Sequence, residues 1–140
     1  MARINQVPKA HPEDVGMQVI GPFVVDFNTA NIATGVQIGV IPAGSVVART
    51  WVQVTTVFNA ATTNVLTVGN AAVIDALMPA ATAVAGTAGN KVTSGPNSTL
   101  TTPTTGDTPV FVRYTQSGTA ATTGRAVVMV EYYPAADYGV

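Results

Sequence analysis

The chain has 140 residues, a formal net charge of −1, only 9% charged residues and no cysteine. That length holds one core-forming domain. The absence of thiols removes disulfide staples, thiolate metal sites and cysteine nucleophiles, and charge this sparse, against an average of about 25%, offers no electrostatic footprint for DNA or RNA. The six basic residues stand singly at Arg3, Lys9, Arg49, Lys91, Arg113 and Arg125. Thr, Ala, Asn and Gly fill the places that a soluble monomer gives to Lys and Glu, a surface suited to life against neighbours.

Residues 1–16 are punctuated by Pro8, Pro12 and Gly16 and carry neither a helical nor a strand period. They are expected to form an extended arm, with Ile4, Val7, Pro8 and Pro12 as its contact candidates. The arm has no apolar core of a secretory signal. The most apolar window, residues 70–89, is mostly Ala and Thr and contains Asp75 and Pro79, so no membrane span is expected.

From residue 17 onward, short β-branched runs alternate with turn residues, which predicts one β-sandwich or barrel domain over 17–140. The first run, 17–27, is broken by Gly21-Pro22, a bulge or edge signal, with Phe23, Val25 and Phe27 facing inward. The second, 32–41, places Ile32, Val36, Ile38 and Val40 on one face, and Pro42 to Ser45 closes it with a tight turn. The third, 46–58, sets Val52, Val54 and Phe58 against Arg49, Trp51, Gln53 and Thr55 on the opposite face. A fourth follows at 65–69, and 71–78 reads as a strand or one helical turn. Residues 79–108 show little periodicity and read as a long loop. Two strong strands close the chain at 110–116 and 125–133. The string Ala-Ala-Thr-Thr occurs at both 60–63 and 120–123, and both copies are expected at one end of the domain.

Catalytic chemistry finds no foothold. The single histidine, His11, sits in the arm beside Pro12, away from any nucleophile it would need to activate. Glu13 and Asp14 are adjacent and diverge, the remaining acids cannot be paired, and no calcium loop or phosphate loop is present. The chain is read as a non-enzyme without metal or cofactor. Trp51 stands out among the aromatics because it shares a face with Arg49 and Gln53; a tryptophan there is covered by a subunit, a loop or a ligand. Tyr132 falls on the inward register with Val128 and Val130.

The positive signal is apolar residues on both faces of the closing strands. Opposite Ala126, Val128, Val130 and Tyr132 stand Arg125, Val127, Met129, Glu131 and Tyr133; opposite Val110, Val112 and Tyr114 stand Phe111, Arg113 and Thr115. A sheet with one wet face alternates more cleanly. Such strands are covered by another subunit or by a returning loop or arm. Covering one of them removes ~300 Å² of apolar surface from water, worth several kcal/mol at ~25 cal/mol per Å². The interface candidates are therefore Arg49, Trp51, Phe111, Arg113, Val127, Met129 and Tyr133.

The stretches Val36-Gln-Ile-Gly-Val-Ile-Pro-Ala-Gly-Ser-Val-Val and Val54-Thr-Thr-Val-Phe-Asn-Ala-Ala-Thr-Thr-Asn-Val-Leu-Thr-Val-Gly resemble small virion structural proteins of tailed bacteriophages. So does Val112-Arg-Tyr-Thr-Gln-Ser-Gly-Thr-Ala-Ala-Thr-Thr-Gly-Arg-Ala. The resemblance spans about residues 32–70 and 109–133 and is one of sequence style. It implies a jelly-roll-like antiparallel β-sandwich of about eight short strands with the first and last as neighbours. It also implies a head decoration, or cement, protein: a homotrimer made in the host cytoplasm that binds the major capsid protein on the particle's outside and bridges shell subunits. A head fibre base, tail or baseplate component shares this profile. A carbohydrate-binding module built on Trp51 is the reading of a different class.

Overall fold

A computed structural model describes residues 17–82, 84–94 and 104–134. The predicted arm, with Ile4, Val7, Pro8 and Pro12, lies outside the described residues. Seven strands form: β1 (Gln18–Asp26), β2 (Val36–Ile41), β3 (Val46–Thr56), β4 (Thr63–Gly69), β5 (Gly89–Ser94), β6 (Thr108–Ser117) and β7 (Arg125–Tyr133). Among the described residues there is no helix.

The strands make two antiparallel sheets, one ordered β1-β7-β3-β5 and the other β2-β6-β4. Each strand lies in the opposite sheet from the one before it, so the chain winds back and forth across a shared core. The result is the expected all-β antiparallel sandwich, with seven strands among the described residues in place of about eight. β1 and β7 are neighbours, with Phe23 opposite Val128 and Val25 opposite Ala126.

The core follows from the period-2 alternation of the β-branched runs. Val110, Val112 and Tyr114 of β6 and Ala126, Val128 and Val130 of β7 are buried, as are Val52, Val54 and Phe58. Phe23, Phe27 and Tyr132 pack against them as partly buried groups. At the centre, Tyr114 stacks at a tilt on Phe58, ring centres 4.6 Å apart. Its hydroxyl donates to Asn64 Oδ1 at 2.6 Å. Asn64 in turn accepts from the Ala60 N–H at the same oxygen and donates to the Ala60 carbonyl. The one polar atom of the largest core side chain is thereby satisfied, and burial raises the Tyr114 pKa above the ordinary phenol value.

Two strands depart from simple alternation. Val40, expected inward, is exposed, because the β2–β6 register shifts between Gln37 and Gly39. The shift turns Gly39 and Ile41 toward the core in its place, where a Cβ on Gly39 would meet Ile20. The Gly21-Pro22 break is a bulge: the β1–β7 register slips between Ile20 and Phe23.

The region 79–108 is not one loop, since β5 forms within it and pairs with β3. The run at 71–78 is neither a strand nor a helical turn. Asn70 Oδ1 accepts from the N–H groups of Ala72 and Val73, curling the chain into a side-chain-stabilised turn. The segment then lies along β4, pairing with it at the isolated bridges Val68–Met78 and Val65–Val84 and through the Leu77 and Ala85 N–H groups, which donate to the Val68 and Asn64 carbonyls. This is where an eighth strand would sit; Pro79, which lacks an N–H, stands between the two bridges. Ala76, Leu77, Met78 and Ala85 are buried, so the segment still closes the side of the sandwich between β4 and β5.

The two Ala-Ala-Thr-Thr strings meet at one end of the sandwich. Ala61 N–H donates to the Thr119 carbonyl. Asn59, just before the first string, accepts from the N–H groups of Thr122 and Thr123 in the second.

Candidate functional site

The outward face of the four-stranded sheet is assembled by cross-strand register. One row runs Val24, Val127, Gln53, Asn90 across β1, β7, β3 and β5; the next runs Met129, Trp51, Val92; a third places Val19 beside Glu131 and Arg49. Val46 pairs with Tyr133 at the far end. Residues paired across an antiparallel ladder project to the same side, so these form one surface. Val19, Val24, Val46, Val92 and Tyr133 are 47, 50, 46, 43 and 45% exposed, and Trp51, Val127 and Met129 are half-buried. The surface therefore presents mainly apolar side chains to solvent.

Its polar content is self-contained. Arg49 forms a salt bridge with Glu131, directly opposite it, and its guanidinium lies over the Trp51 ring at 4.9 Å from the centroid. Hydrogen bonding to Glu131 raises the Arg49 pKa further above its usual value. Trp51 Nε1 is buried and has no hydrogen-bond partner among the described residues.

The outward face of the three-stranded sheet is different. Phe111 and Arg113 of β6 line a cleft of about 190 Å³ with Thr34, Gly35, Asn70 and Ile74. A second hollow on the other side of Ile74 is lined by Thr63, Val65, Thr67, Asp75 and Thr115. Arg113 Nη2 donates to the Thr34 carbonyl at 2.8 Å, while its Nε is buried without a partner among the described residues. Here the chain's own 70–85 segment covers much of the sheet, and Thr67 and Gly69 are buried beneath it.

The seven interface candidates thus divide. Arg49, Trp51, Val127, Met129 and Tyr133 come together on one side, and Phe111 and Arg113 lie on the other side of the sandwich. Sequence reasoning missed Val19, Val24, Val46 and Val92. Val92 was hidden because β5 itself was read as loop; Val19 and Val24 were hidden because the bulge at Gly21-Pro22 breaks their spacing. Among the described residues, no group of three or more His, Asp or Glu is placed to hold a metal ion, and no helix is long and apolar enough to cross a membrane.

No protein-family model and no curated protein matches the chain. Among solved structures, a chain of the cyanophage Pam1 capsid asymmetric unit is similar, with 26% identity, a TM-score of 0.68 and coverage of 96% of each chain.

Proposed function

We propose that this chain is a non-catalytic structural protein of a bacteriophage particle, and that it acts as a head decoration protein on the outside of the capsid. The observation that carries the reading is the likeness, over 96% of both chains, to a chain of the cyanophage Pam1 capsid asymmetric unit. The apolar outer face and the sparse charge support it, because both favour a molecule that functions packed against others. On this reading the chain assembles as a homotrimer, contacts the major capsid protein, and stabilises the shell mechanically by adding buried area across the seams between shell subunits. The arm at 1–16, with Ile4, Val7, Pro8 and Pro12, is proposed to strap a neighbouring subunit or the shell. A sugar-binding role for Trp51 is disfavoured: a platform needs an open ring face, and here Arg49 lies over the ring with Met129 and Val92 on either side in its row.

The test is immunogold labelling and image reconstruction of particles of the phage that encodes the chain. Regularly spaced density for it on the outer shell supports the decoration role. Density at the tail, baseplate or a head fibre reassigns it to another virion component, and its absence from purified particles overturns the reading.

A further inference from the structure

We infer that the outer face of the four-stranded sheet is the seat of a second copy of this chain. The inference rests on the assembly reading above and assigns one of the two candidate faces to self-association. Three observations carry it.

The first is the contrast between the two sheets. A two-sided strand is covered by its own chain or by another molecule. Residues 70–82 and 84–85 cover the β4 side of the three-stranded sheet and leave Val40 of β2 open, whereas on the four-stranded sheet Val19, Val24, Val46, Val92 and Tyr133 all remain open.

The second is charge. The charged groups of this face neutralise each other in pairs, Arg49 with Glu131 and, in the row beyond Val24 and Val127, Arg125 with Asp26. A basic or acidic partner finds no net charge to recognise there, whereas another copy of this chain, only 9% charged throughout, meets no like-charge repulsion. The amides of Gln53 and Asn90 share the row of Val24 and Val127, and the Asp26–Arg125 pair stands in the row beyond it, so this end of the face is polar, as the rim of an interface with an apolar centre is.

The third is area. Four strands at ~4.8 Å spacing and roughly 25 Å of paired length give about 500 Å². With an equal area on the second copy, about 1,000 Å² leaves water, the size at which a specific interface separates from a chance contact.

The test is the mass of the full chain by light scattering and sedimentation equilibrium over a wide concentration range. The native chain is expected to run as an integer multiple of its own mass. Val24→Lys combined with Val92→Lys places two charges on the face at exposed positions and is expected to weaken association at least about tenfold, with the far-UV circular dichroism unchanged. Val40→Lys combined with Val84→Lys, equally exposed but on the other side of the sandwich, leaves the mass as it was. A native chain that is monomeric throughout overturns the proposal, as does a multimer untouched by the first pair or lost equally with the second. A monomer that begins to associate once residues 1–16 are deleted makes the arm the occupant and also overturns it. Binding of each variant to phage particles is scored separately. A chain that no longer self-associates but still decorates particles leaves the virion reading standing, and one that self-associates but never binds particles leaves only the face assigned.

Discussion

The guanidinium of Arg49 lies 4.9 Å from the centre of the Trp51 ring, held there by Glu131 on the neighbouring strand. Planar stacking and a fixed counter-charge are what an arginine adds over a lysine. Trp51 is the only tryptophan, so its fluorescence reports this arrangement. Glu131→Gln and Arg49→Lys are each expected to shift the emission maximum to longer wavelength, with the backbone circular dichroism unchanged. Native emission in both variants would show that the stack does not govern the ring's surroundings.

The hydroxyl of Tyr114 and the amide of Asn64 form a hub that also holds Ala60. Tyr114→Phe leaves Asn64 Oδ1 still accepting from the Ala60 N–H and is expected to cost about 1 kcal/mol. Asn64→Ala orphans the tyrosine hydroxyl and the Ala60 amide together and should cost about 2 kcal/mol or more. Urea unfolding at one fixed protein concentration measures both, because association contributes to apparent stability. Equal costs for the two variants would contradict the hub.

Gly124 has φ 150° and a Cβ there would come within 2.5 Å of the Phe58 ring. Phe58 is fully buried against Tyr114 and has no room to retreat. Gly124→Ala should lose roughly 2–4 kcal/mol through overpacking and backbone strain. Gly106→Ala is the control: nothing lies within 4 Å of its Cβ position, and the change should be near neutral or slightly stabilising. Thermal unfolding of the two variants separates these outcomes.

Asp26 and Arg125 pair across β1 and β7 through two hydrogen bonds. The hydrogen bond from Arg125 holds the Asp26 carboxyl below its ordinary value of 3.8. A carboxylate whose pKa is lower in the folded state adds stability above the unfolded value, and that stability is lost as pH falls through the folded one. Asp26→Asn is therefore expected to lower the melting temperature slightly at pH 7 and to flatten its fall below about pH 4 by the same small amount, since the pair is exposed. An acid limb as steep in the variant as in the native chain would remove Asp26 from its cause.

Much of the fold was legible because period-2 alternation in β-branched runs has one stable outcome, a strand with one face in a core. Val52, Val54, Val110, Val112, Val128 and Val130 were placed inward on that ground and are buried. Val40 escaped because a one-residue bulge at 37–39 turns every later side chain to the other face; its local mark was Gly39, a lone glycine inside a strand run. β5 escaped because Gly-Asn-Lys-Val-Thr-Ser has little β propensity of its own; it is a strand because β3 offers it an edge to pair with.

The candidate surface divides along the same line. The sequence by itself determined that the closing strands carry apolar groups on both faces, since alternation is local and each strand shows it alone. Only the tertiary structure decided that Trp51, Met129 and Val127 share one surface with Val19, Val24 and Val92, while Phe111 and Arg113 look out from the other sheet beside the chain's own 70–85 segment. The physical reason is that a strand's pattern specifies which of its residues point the same way, whereas which strands lie side by side depends on pairings between residues as far apart as Asp26 and Arg125.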